Sequence, residues 1–246
     1  MKTAIVTGAA RGIGLATTKL FVEEGWQVAM IDRDAPALME AKVPGAFQVV
    51  CDVSDPAAVE RMVSDVLERT GRIDALVNNA GVADFGPIAE TDFERWRDVM
   101  ETNLDGVFLV SQACASALAE NRGAVVNIAS ISGLRASTLR VAYGTSKAGV
   151  MHLTQQQAAE WGEHGVRVNC VCPGPVRTKL AMAVHTQDII DAYHDAIPLN
   201  RYGSEEEIGN VIVFLCSDKA SYVTGQVIAV DGGFQSTGIG LPALRG

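Results

Sequence analysis

Three side chains in the middle of the sequence have types and spacing suited to proton transfer at an oxygen atom. Tyr143 and Lys147 are four residues apart in a segment with a helical pattern, so both side chains lie on one face. A free phenol has a pKa near ~10 and is a poor base at neutral pH, but an adjacent ammonium stabilises the phenolate. Ser130, thirteen residues before Tyr143, could donate a hydrogen bond to the same oxygen. The alternatives are a surface contact for the Tyr–Lys pair and a helix cap or turn for the serine.

A glycine-rich loop near the start of the chain is suited to binding a pyrophosphate. The predicted strand Thr3–Thr7 runs into this loop, and the next helix begins inside it. Glycines allow close approach of the backbone, and the free N–H groups and dipole of the helix attract negative charge. The candidate contacts are Gly8, Arg11, Gly12, Ile13 and Gly14. An ordinary strand–turn–helix corner is the alternative.

An acidic residue after the second predicted strand indicates which dinucleotide the loop binds. Asp32 follows Gly14 by 18 residues, where a carboxylate can bind both ribose hydroxyls of an adenosine. The same carboxylate repels a 2′-phosphate, so the sequence predicts NAD rather than NADP. Arg11 and Arg33 could each reach a phosphate or could be solvated surface charges. Asp52 and Val53, after the third strand, could contact the adenine edge, or Asp52 could cap the next helix.

The elements that must position these residues follow an alternating pattern. Short β-branched runs alternate with longer amphipathic segments, which predicts repeated βαβ units. The predicted strands are Thr3–Thr7, Val28–Ile31, Phe47–Cys51, Ala75–Asn78, Ala124–Ala129, Arg167–Cys172 and Val227–Val230. The predicted helices are Ile13–Glu24, Pro56–Thr70, Phe93–Leu118, Tyr143–Trp161 and Ser204–Ser217. The predicted fold is α/β, a doubly wound (Rossmann-type) seven-stranded parallel sheet with helices on both faces.

The chain shows no internal boundary between domains. No linker, low-complexity tract or repeat is present, so residues 1–246 are predicted to form a single domain that carries both the cofactor and the substrate sites. The long irregular stretch from Thr178 to Gly203 is a candidate substrate lid, because loops of that length in compact domains are often functional. His185 lies in this stretch and could contact substrate or be an exposed histidine.

Composition excludes several classes of ligand. A net charge of -9 and a pI near 4.9 argue against a nucleic-acid partner or an anionic membrane surface, both of which need clustered positive charge. Five cysteines without a CxxC pair fit reduced thiols and a cytoplasmic location. The four histidines form no HxxH or HExxH pattern, so no metal site is expected. A small molecule is the expected ligand.

Taken together, the motifs resemble the short-chain dehydrogenase/reductase family over essentially the whole chain. The residues that carry the resemblance are Thr7-Gly8-x-x-x-Gly12-x-Gly14, Asn78-Asn79-Ala80-Gly81, Asn103, Ser130, Tyr143-x-x-x-Lys147, Pro173-Gly174 and Asp231-Gly232-Gly233. The resemblance implies that Tyr143 is the acid/base and that Ser130 polarises the carbonyl. Lys147 is then expected to lower the tyrosine pKa and to bind the nicotinamide ribose. Asn103 is expected to bend its helix and to hold a water in a proton relay to Lys147.

The resemblance also assigns residues around the cofactor. It implies that Asn79, Ala80 and Gly81 pack beside the adenosine half. It places the loop from Pro173 to Thr178 at the nicotinamide carboxamide, with Val176 and Thr178 as the contacts. Pro173 and Gly174 of the same loop are also expected to be cofactor-binding residues. Without the resemblance, these segments read as a turn and a stiff loop, and Asn103 as a polar helix position. Ser132, two residues after Ser130, is a second hydroxyl that could face the pocket.

Three functions fit these observations. The leading one is an NAD-dependent oxidoreductase that acts on a secondary alcohol or ketone of a polar substrate, such as a sugar, a polyol or a hydroxy acid. The second is a 3-oxoacyl-thioester reductase that uses NADPH, although Asp32 and the acidic balance disfavour it. The third is a catalytically silent NAD-binding sensor or scaffold. Small residues on the helices Phe93–Leu118 and Tyr143–Trp161 allow close packing, and relatives commonly form tetramers through the equivalent helices, so a homo-oligomer, a tetramer, is expected.

Overall fold

The computed structural model describes residues 1–178, 182 and 185–238, and these contain one seven-stranded parallel sheet. The strands are β1 (Thr3–Thr7), β2 (Gln27–Asp32), β3 (Ala46–Val50), β4 (Ala75–Asn78), β5 (Ala124–Ile128), β6 (Arg167–Pro173) and β7 (Val227–Val230). Their order is β3-β2-β1-β4-β5-β6-β7, with every neighbouring pair parallel. The predicted doubly wound fold is therefore confirmed.

Helices connect successive strands. They are α1 (Gly12–Glu23), α2 (Ala35–Glu40), α3 (Pro56–Thr70), α4 (Phe93–Met100), α5 (Gly106–Asn121), α6 (Ile131–Leu134), α7 (Val141–Trp161), α8 (Gln187–Ala196) and α9 (Glu205–Cys216). Local chemistry sets several of the boundaries. Asp55 caps α3 before a proline at its first position, and Ser204 and Glu207 form a capping box on α9.

Two helical layers bury the two faces of the sheet. On one face, Phe21 of α1, Leu38 of α2 and Ile212 of α9 pack against strand residues such as Val6 and Met30. On the other face, helices α3, α5 and α7 cover the sheet. Burial of each such large apolar side chain contributes roughly 1.5–3 kcal/mol. This packing fixes the strand ends that carry the candidate site.

Two sequence predictions about helices were wrong in detail. The predicted helix Phe93–Leu118 is divided into α4 and α5 by a π-helical turn at Glu101–Asp105. The stretch from Thr178 to Gly203 is not irregular throughout, because α8 lies within it, capped by Thr186. This helix and the short helices α2 and α6 were not predicted. Residues 179–181, 183 and 184 of the candidate lid lie outside the described residues.

The strand order places one crevice at the edge of the sheet. The chain reverses direction across the sheet between β1 and β4, and ligands of open parallel sheets bind at such a switch point, beyond the carboxyl ends of the strands. Thr7, Asp32, Asn78 and Ser130 all lie at these ends. Within the described part of the chain, no helix is both long and apolar enough to cross a bilayer.

Candidate active site

The loop between β1 and α1 has the backbone geometry that its glycines predict. Gly8 and Gly12 have positive φ angles of 64° and 60°, a conformation that side chains disfavour. A Cβ on Gly14 would lie 2.3 Å from the carbonyl oxygen of Gly8, so only glycine fits there. The first turn of α1 has no side-chain cap, and its N–H groups are available to an anion.

Thr7 and Asn79 fasten this loop to the segment after β4. The Thr7 hydroxyl accepts hydrogen bonds from the backbone N–H groups of Asn79 and Ala80, at 2.9 and 3.0 Å. The Asn79 amide donates to the carbonyl oxygens of Thr7 and Gly8, at 2.9 and 3.1 Å. The predicted contacts Asn79 and Ala80 therefore lie against the glycine loop, whereas Gly81 lies beside Asn103 and Lys147. The sequence did not predict this role of Thr7 in holding the loop.

Asp32 is held in place by the loop it faces. Its carboxylate accepts hydrogen bonds from the backbone N–H of Ala10 at 3.1 Å and of Asp34 at 3.0 Å. The two neighbouring arginines are both paired with carboxylates. Arg11 forms an ion pair with Asp34, and Arg33 lies 3.4 Å from Asp52.

Asp52 and Val53 lie beside the crevice with different surroundings. Asp52 accepts hydrogen bonds from the backbone N–H and the hydroxyl of Ser54, at 3.0 and 2.7 Å. Asp55, not Asp52, is the residue that caps α3. The Val53 side chain is buried against Gly106 of α5. Only its backbone is therefore placed to meet a ligand, whereas Asp52 keeps a half-exposed carboxylate.

Ser130, Tyr143 and Lys147 meet beyond the carboxyl end of β5. Ser130 lies two residues after β5 and accepts a hydrogen bond of 3.1 Å from the backbone N–H of Ser132, so it caps α6. Ser130 also lies near the Tyr143 phenol, where its hydroxyl lowers the pKa of that group. The ammonium of Lys147 lies 5.8 Å from the centroid of the Tyr143 ring and donates to the Ile128 carbonyl at 2.8 Å. Ser130 is therefore both the cap of α6 and a neighbour of Tyr143.

Burial and charge act in opposite directions on these groups. Burial raises the pKa of the Tyr143 phenol, and the hydrogen bond from Ser130 and the charge of Arg140 oppose that rise. Burial lowers the pKa of Lys147 to about 8. Arg140 is thus the cation that opposes the rise in the pKa of Tyr143. The sequence did not indicate this residue. No motif or spacing marks Arg140, because its effect depends on the fold of the loop before α7.

Asn103 lies in the π-helical turn between α4 and α5. Its amide donates to the Val82 carbonyl at 2.9 Å and to the Ser146 hydroxyl at 3.1 Å, and its carbonyl accepts from the Val82 N–H at 2.8 Å. A Cβ on Gly81 would lie 3.2 Å from the Asn103 oxygen and 3.4 Å from the Lys147 ammonium. Asn103 therefore holds the backbone beside Lys147, and the water relay stays a prediction.

The loop after β6 closes the other end of the crevice. The backbone N–H of Gly174 donates to the Val230 carbonyl at 3.0 Å, and a Cβ on Gly174 would lie 2.6 Å from the Cβ of Asp231. Val176 forms an isolated parallel bridge with Gly203. The Pro173–Gly174 and Asp231–Gly232–Gly233 motifs are therefore packed together. Pro173, Val176 and Thr178 lie on one continuous segment at the sheet edge.

A buried network of polar side chains lies beneath the site, and it was not predicted from the sequence. Asn78 donates to Asn127 at 2.8 Å, and Asn127 donates to Thr154 and Gln157, both at 3.0 Å. The network joins β4, β5 and α7, the three elements that carry the catalytic candidates and the Asn79 segment. Asn127 is the one polar residue of the otherwise apolar strand β5, a pattern that could have indicated a structural role.

The stretch after β6 contributes an aromatic cluster. The ring of His185 shares a hydrogen bond of 2.9 Å with the Tyr202 hydroxyl and stacks on Tyr193, with centroids 5.6 Å apart. Phe234 packs edge-on against Tyr193. His185 is therefore part of a packed cluster rather than an exposed histidine.

Comparisons with known proteins match almost the whole chain. A family model described as enoyl-(acyl carrier protein) reductase matches residues 8–235. Meso-2,3-butanediol dehydrogenase of Serratia marcescens is 38% identical over 239 residues, which cover 94% of each chain. The 3-oxoacyl-(acyl-carrier-protein) reductase of Staphylococcus epidermidis is 36% identical over 240 residues, covering 94% of this chain and 98% of the relative. The crystal structure of levodione reductase superposes with a TM-score of 0.92 at 32% identity, covering 96% and 98%.

Proposed function

Because this chain belongs to the short-chain dehydrogenase/reductase family, whose members are NAD(P)-dependent oxidoreductases of CH–OH groups, we propose that it oxidises a polar secondary alcohol with NAD. The alcohol is a sugar, a polyol or a hydroxy acid. The observation that carries the proposal is the meeting of Ser130, Tyr143 and Lys147 at the carboxyl end of β5, next to the glycine loop.

The residues at this position divide the work on the substrate oxygen. NAD, when bound, supplies the hydride acceptor. Tyr143 takes the proton of the substrate hydroxyl, and Ser130 donates a hydrogen bond to the oxygen as negative charge develops on it. The charge of Arg140 favours the phenolate form that Tyr143 needs for this step, against the effect of burial. Lys147 holds the nicotinamide ribose, and Asn103 positions the backbone beside it.

The glycine loop fits the pyrophosphate of a dinucleotide. Gly8, Gly12 and Gly14 keep the backbone open, and the uncapped N–H groups of α1 face the crevice end of β1. The half-buried carboxylate of Asp32 is oriented by Ala10 and suits two ribose hydroxyls. The donor set therefore matches the adenosine diphosphate half of the cofactor.

The surroundings of Asp32 support NAD over NADP. A 2′-phosphate would meet the negative carboxylate of Asp32. The two arginines that could offset this repulsion are already paired, Arg11 with Asp34 and Arg33 with Asp52. The paired carboxylates reduce the positive potential that these arginines could offer a 2′-phosphate, which disfavours NADP.

A 3-oxoacyl-thioester reductase is the second candidate, and one of the relatives carries that name. Such an enzyme docks an acidic carrier protein, for which a basic surface is expected, whereas this chain has a net charge of -9. The butanediol dehydrogenase relative supports the polar-alcohol proposal instead. A silent sensor is a third candidate, disfavoured because Ser130, Tyr143 and Lys147 are all in place.

We also propose that the protein forms a homo-oligomer, specifically a tetramer. A groove of about 700 Å³ lies between α5 and α7 and is lined by Leu104, Phe108, Gly149 and Leu153. Phe108 is 47% exposed and adds apolar surface to this groove. A second copy of the same face would cover this groove. Light scattering that gives a monomeric mass would contradict this part.

The five cysteines support a cytoplasmic location. All five are free and buried, as expected for thiols of a reducing compartment.

The direct test is a substrate panel with both cofactors. Purified protein is mixed with NAD or NADP and with secondary alcohols, sugars, polyols and hydroxy acids, and the absorbance of the reduced nicotinamide is followed. We expect turnover of a polar alcohol with a preference for NAD. Turnover only of 3-oxoacyl thioesters with NADPH favours the second candidate, and silence with intact NAD binding favours the sensor.

A further inference from the structure

Arg140 lies at the entrance to the candidate active site, and among the residues that the structure describes it has no carboxylate partner. It directly precedes α7, and its guanidinium lies 5.7 Å from the ring centroid of Tyr143 and 4.6 Å from that of Phe85. Within the ranges that the structure describes, no carboxylate lies within ion-pair distance of it. Arg11 and Arg33, by contrast, are both paired.

The charge of Arg140 acts on both sides of the entrance. It opposes the rise that burial causes in the pKa of Tyr143. Burial lowers the pKa of His185, and the charge of Arg140 lowers it further. The guanidinium therefore faces the space between the catalytic candidate and the stretch after β6.

The loop that carries Phe85 is fixed, so the guanidinium has a rigid apolar wall. Arg95 pairs with Asp84 at 2.8 Å and donates to the Phe85 carbonyl at 3.1 Å. The backbone N–H of Gly86 donates to the Leu139 carbonyl at 3.0 Å, which ties this loop to the residue before Arg140. A guanidinium that lies against an aromatic ring keeps its N–H groups free for a ligand.

We propose that Arg140 binds an anionic group of the substrate while Tyr143 and Ser130 bind its hydroxyl. The inference rests on the proposed function and narrows it to a secondary alcohol that carries a carboxylate or a phosphate ester. Arginine pairs with both groups through two parallel N–H···O bonds, which also fixes the substrate's orientation. A neutral diol lacks this contact and binds only through its hydroxyls.

The test compares matched substrates in matched variants. The first set of substrates is gluconate, sorbitol 6-phosphate and neutral sorbitol. The second set is 3-hydroxybutyrate and neutral 2-butanol, and every substrate is used with NAD. The variants are Arg140→Gln, Arg140→Lys and Arg135→Gln. Arg135 is the control, because its guanidinium is 4.0 Å from the Phe234 ring and donates to the Phe234 carbonyl. The readout is the ratio of kcat/KM for the anionic and the neutral member, which cancels any general effect on Tyr143.

We expect the wild-type protein to favour the anionic member and Arg140→Gln to lower that ratio by roughly 10- to 100-fold. Arg140→Lys should retain part of it, and Arg135→Gln all of it. The anion that Arg140 binds is the one, carboxylate or phosphate, for which Arg140→Gln lowers the ratio more. A ratio that Arg140→Gln leaves unchanged, or a wild-type preference for the neutral member, overturns the inference while the proposed function stands.

A binding measurement separates the inference from the failure of the function. Calorimetry measures the affinity of NADH-loaded protein for butyrate and for inorganic phosphate, neither of which reacts. Weaker binding in Arg140→Gln supports the anion site even if no alcohol is oxidised. Equal affinity in wild type and Arg140→Gln for both anions overturns it.

Discussion

The ammonium of Lys147 donates a 2.8 Å hydrogen bond to the backbone carbonyl of Ile128, at the last residue of β5. This bond ties α7 to the strand that precedes Ser130. It also holds a charged group in a buried position, where its pKa falls to about 8. Burial of this cation at the site therefore lowers the stability of the folded protein.

The pH dependence of stability should show this cost. The pKa of Lys147 is lowered from 10.5 to about 8, so between these values the unfolded chain holds a proton that the folded protein has lost. Stability consequently rises with pH across this window, by up to about 3 kcal/mol. Urea denaturation should show that wild type gains stability relative to Lys147→Met between pH 8 and 10.5.

The control for this prediction is Lys19→Met, on the exposed side of α1. Its stability should run parallel to that of wild type over the same pH range. If the stabilities of wild type and Lys147→Met change in parallel with pH, burial does not lower the pKa of Lys147 and the prediction is contradicted.

The two serines after β5 should differ in their effect on turnover. Ser130→Ala removes the donor beside Tyr143 and should lower kcat by roughly 10²- to 10³-fold. It should also cost about 1 kcal/mol of stability, because Ser130 caps α6. Ser132→Ala should lower kcat far less, since the Ser132 hydroxyl is occupied by Ser137 at 3.0 Å. Steady-state kinetics that show the larger loss in Ser132→Ala would reverse the assignment.

Asp32 should determine the choice of cofactor. Asp32→Asn removes the charge that repels a 2′-phosphate and weakens the bonds to the ribose hydroxyls. We expect kcat/KM with NAD to fall by roughly 10-fold or more and the NADP-to-NAD ratio to rise. Asp65→Asn, on the exposed side of α3, is the matched control. A ratio that does not change with Asp32→Asn would remove Asp32 from the cofactor site.

Asn127 should be important for stability rather than for chemistry. Its side chain is fully buried and bonds to Asn78, Thr154 and Gln157. Asn127→Ala leaves buried polar partners unpaired and should cost about 2–4 kcal/mol, measured by urea denaturation. Gln155→Ala, on the exposed side of α7, should change stability by less than about 0.5 kcal/mol. A loss below 1 kcal/mol for Asn127→Ala would be inconsistent with the network.

Most of the fold could be predicted because its signals are local. The β-branched runs predicted all seven strands, and α3 was predicted at its observed bounds. The break at Glu101–Asp105 is not visible in the helical pattern, and only the resemblance, which implied that Asn103 bends its helix, indicated its place. The bonds that Asn103 makes there to Val82, a residue distant in the sequence, could not be predicted. The helix α8 was missed, although Ile189, Ile190 and Tyr193 have the spacing of one helix face.

The candidate site divides in the same way. Tyr143 and Lys147 could be placed on one helix face from their spacing alone. The pairing of Arg33 with Asp52 could not, because it joins residues from different loops that only the fold brings together. The position of the Arg140 guanidinium beside the Tyr143 ring could not either, because Arg140 precedes α7 with a non-helical backbone that the spacing does not reveal.

The most direct measurement follows hydride transfer in Tyr143→Phe. Protein is mixed with NAD and the best alcohol of the panel in a stopped-flow instrument, and the appearance of reduced nicotinamide is recorded, with NAD affinity measured in parallel. We expect the rate to fall by roughly 10²- to 10⁴-fold while NAD affinity stays within a few-fold, because only the proton acceptor is lost. The control Tyr222→Phe, at a fully exposed position, should match wild type. A Tyr143→Phe rate close to that of wild type would contradict the assignment of Tyr143 as the acid/base.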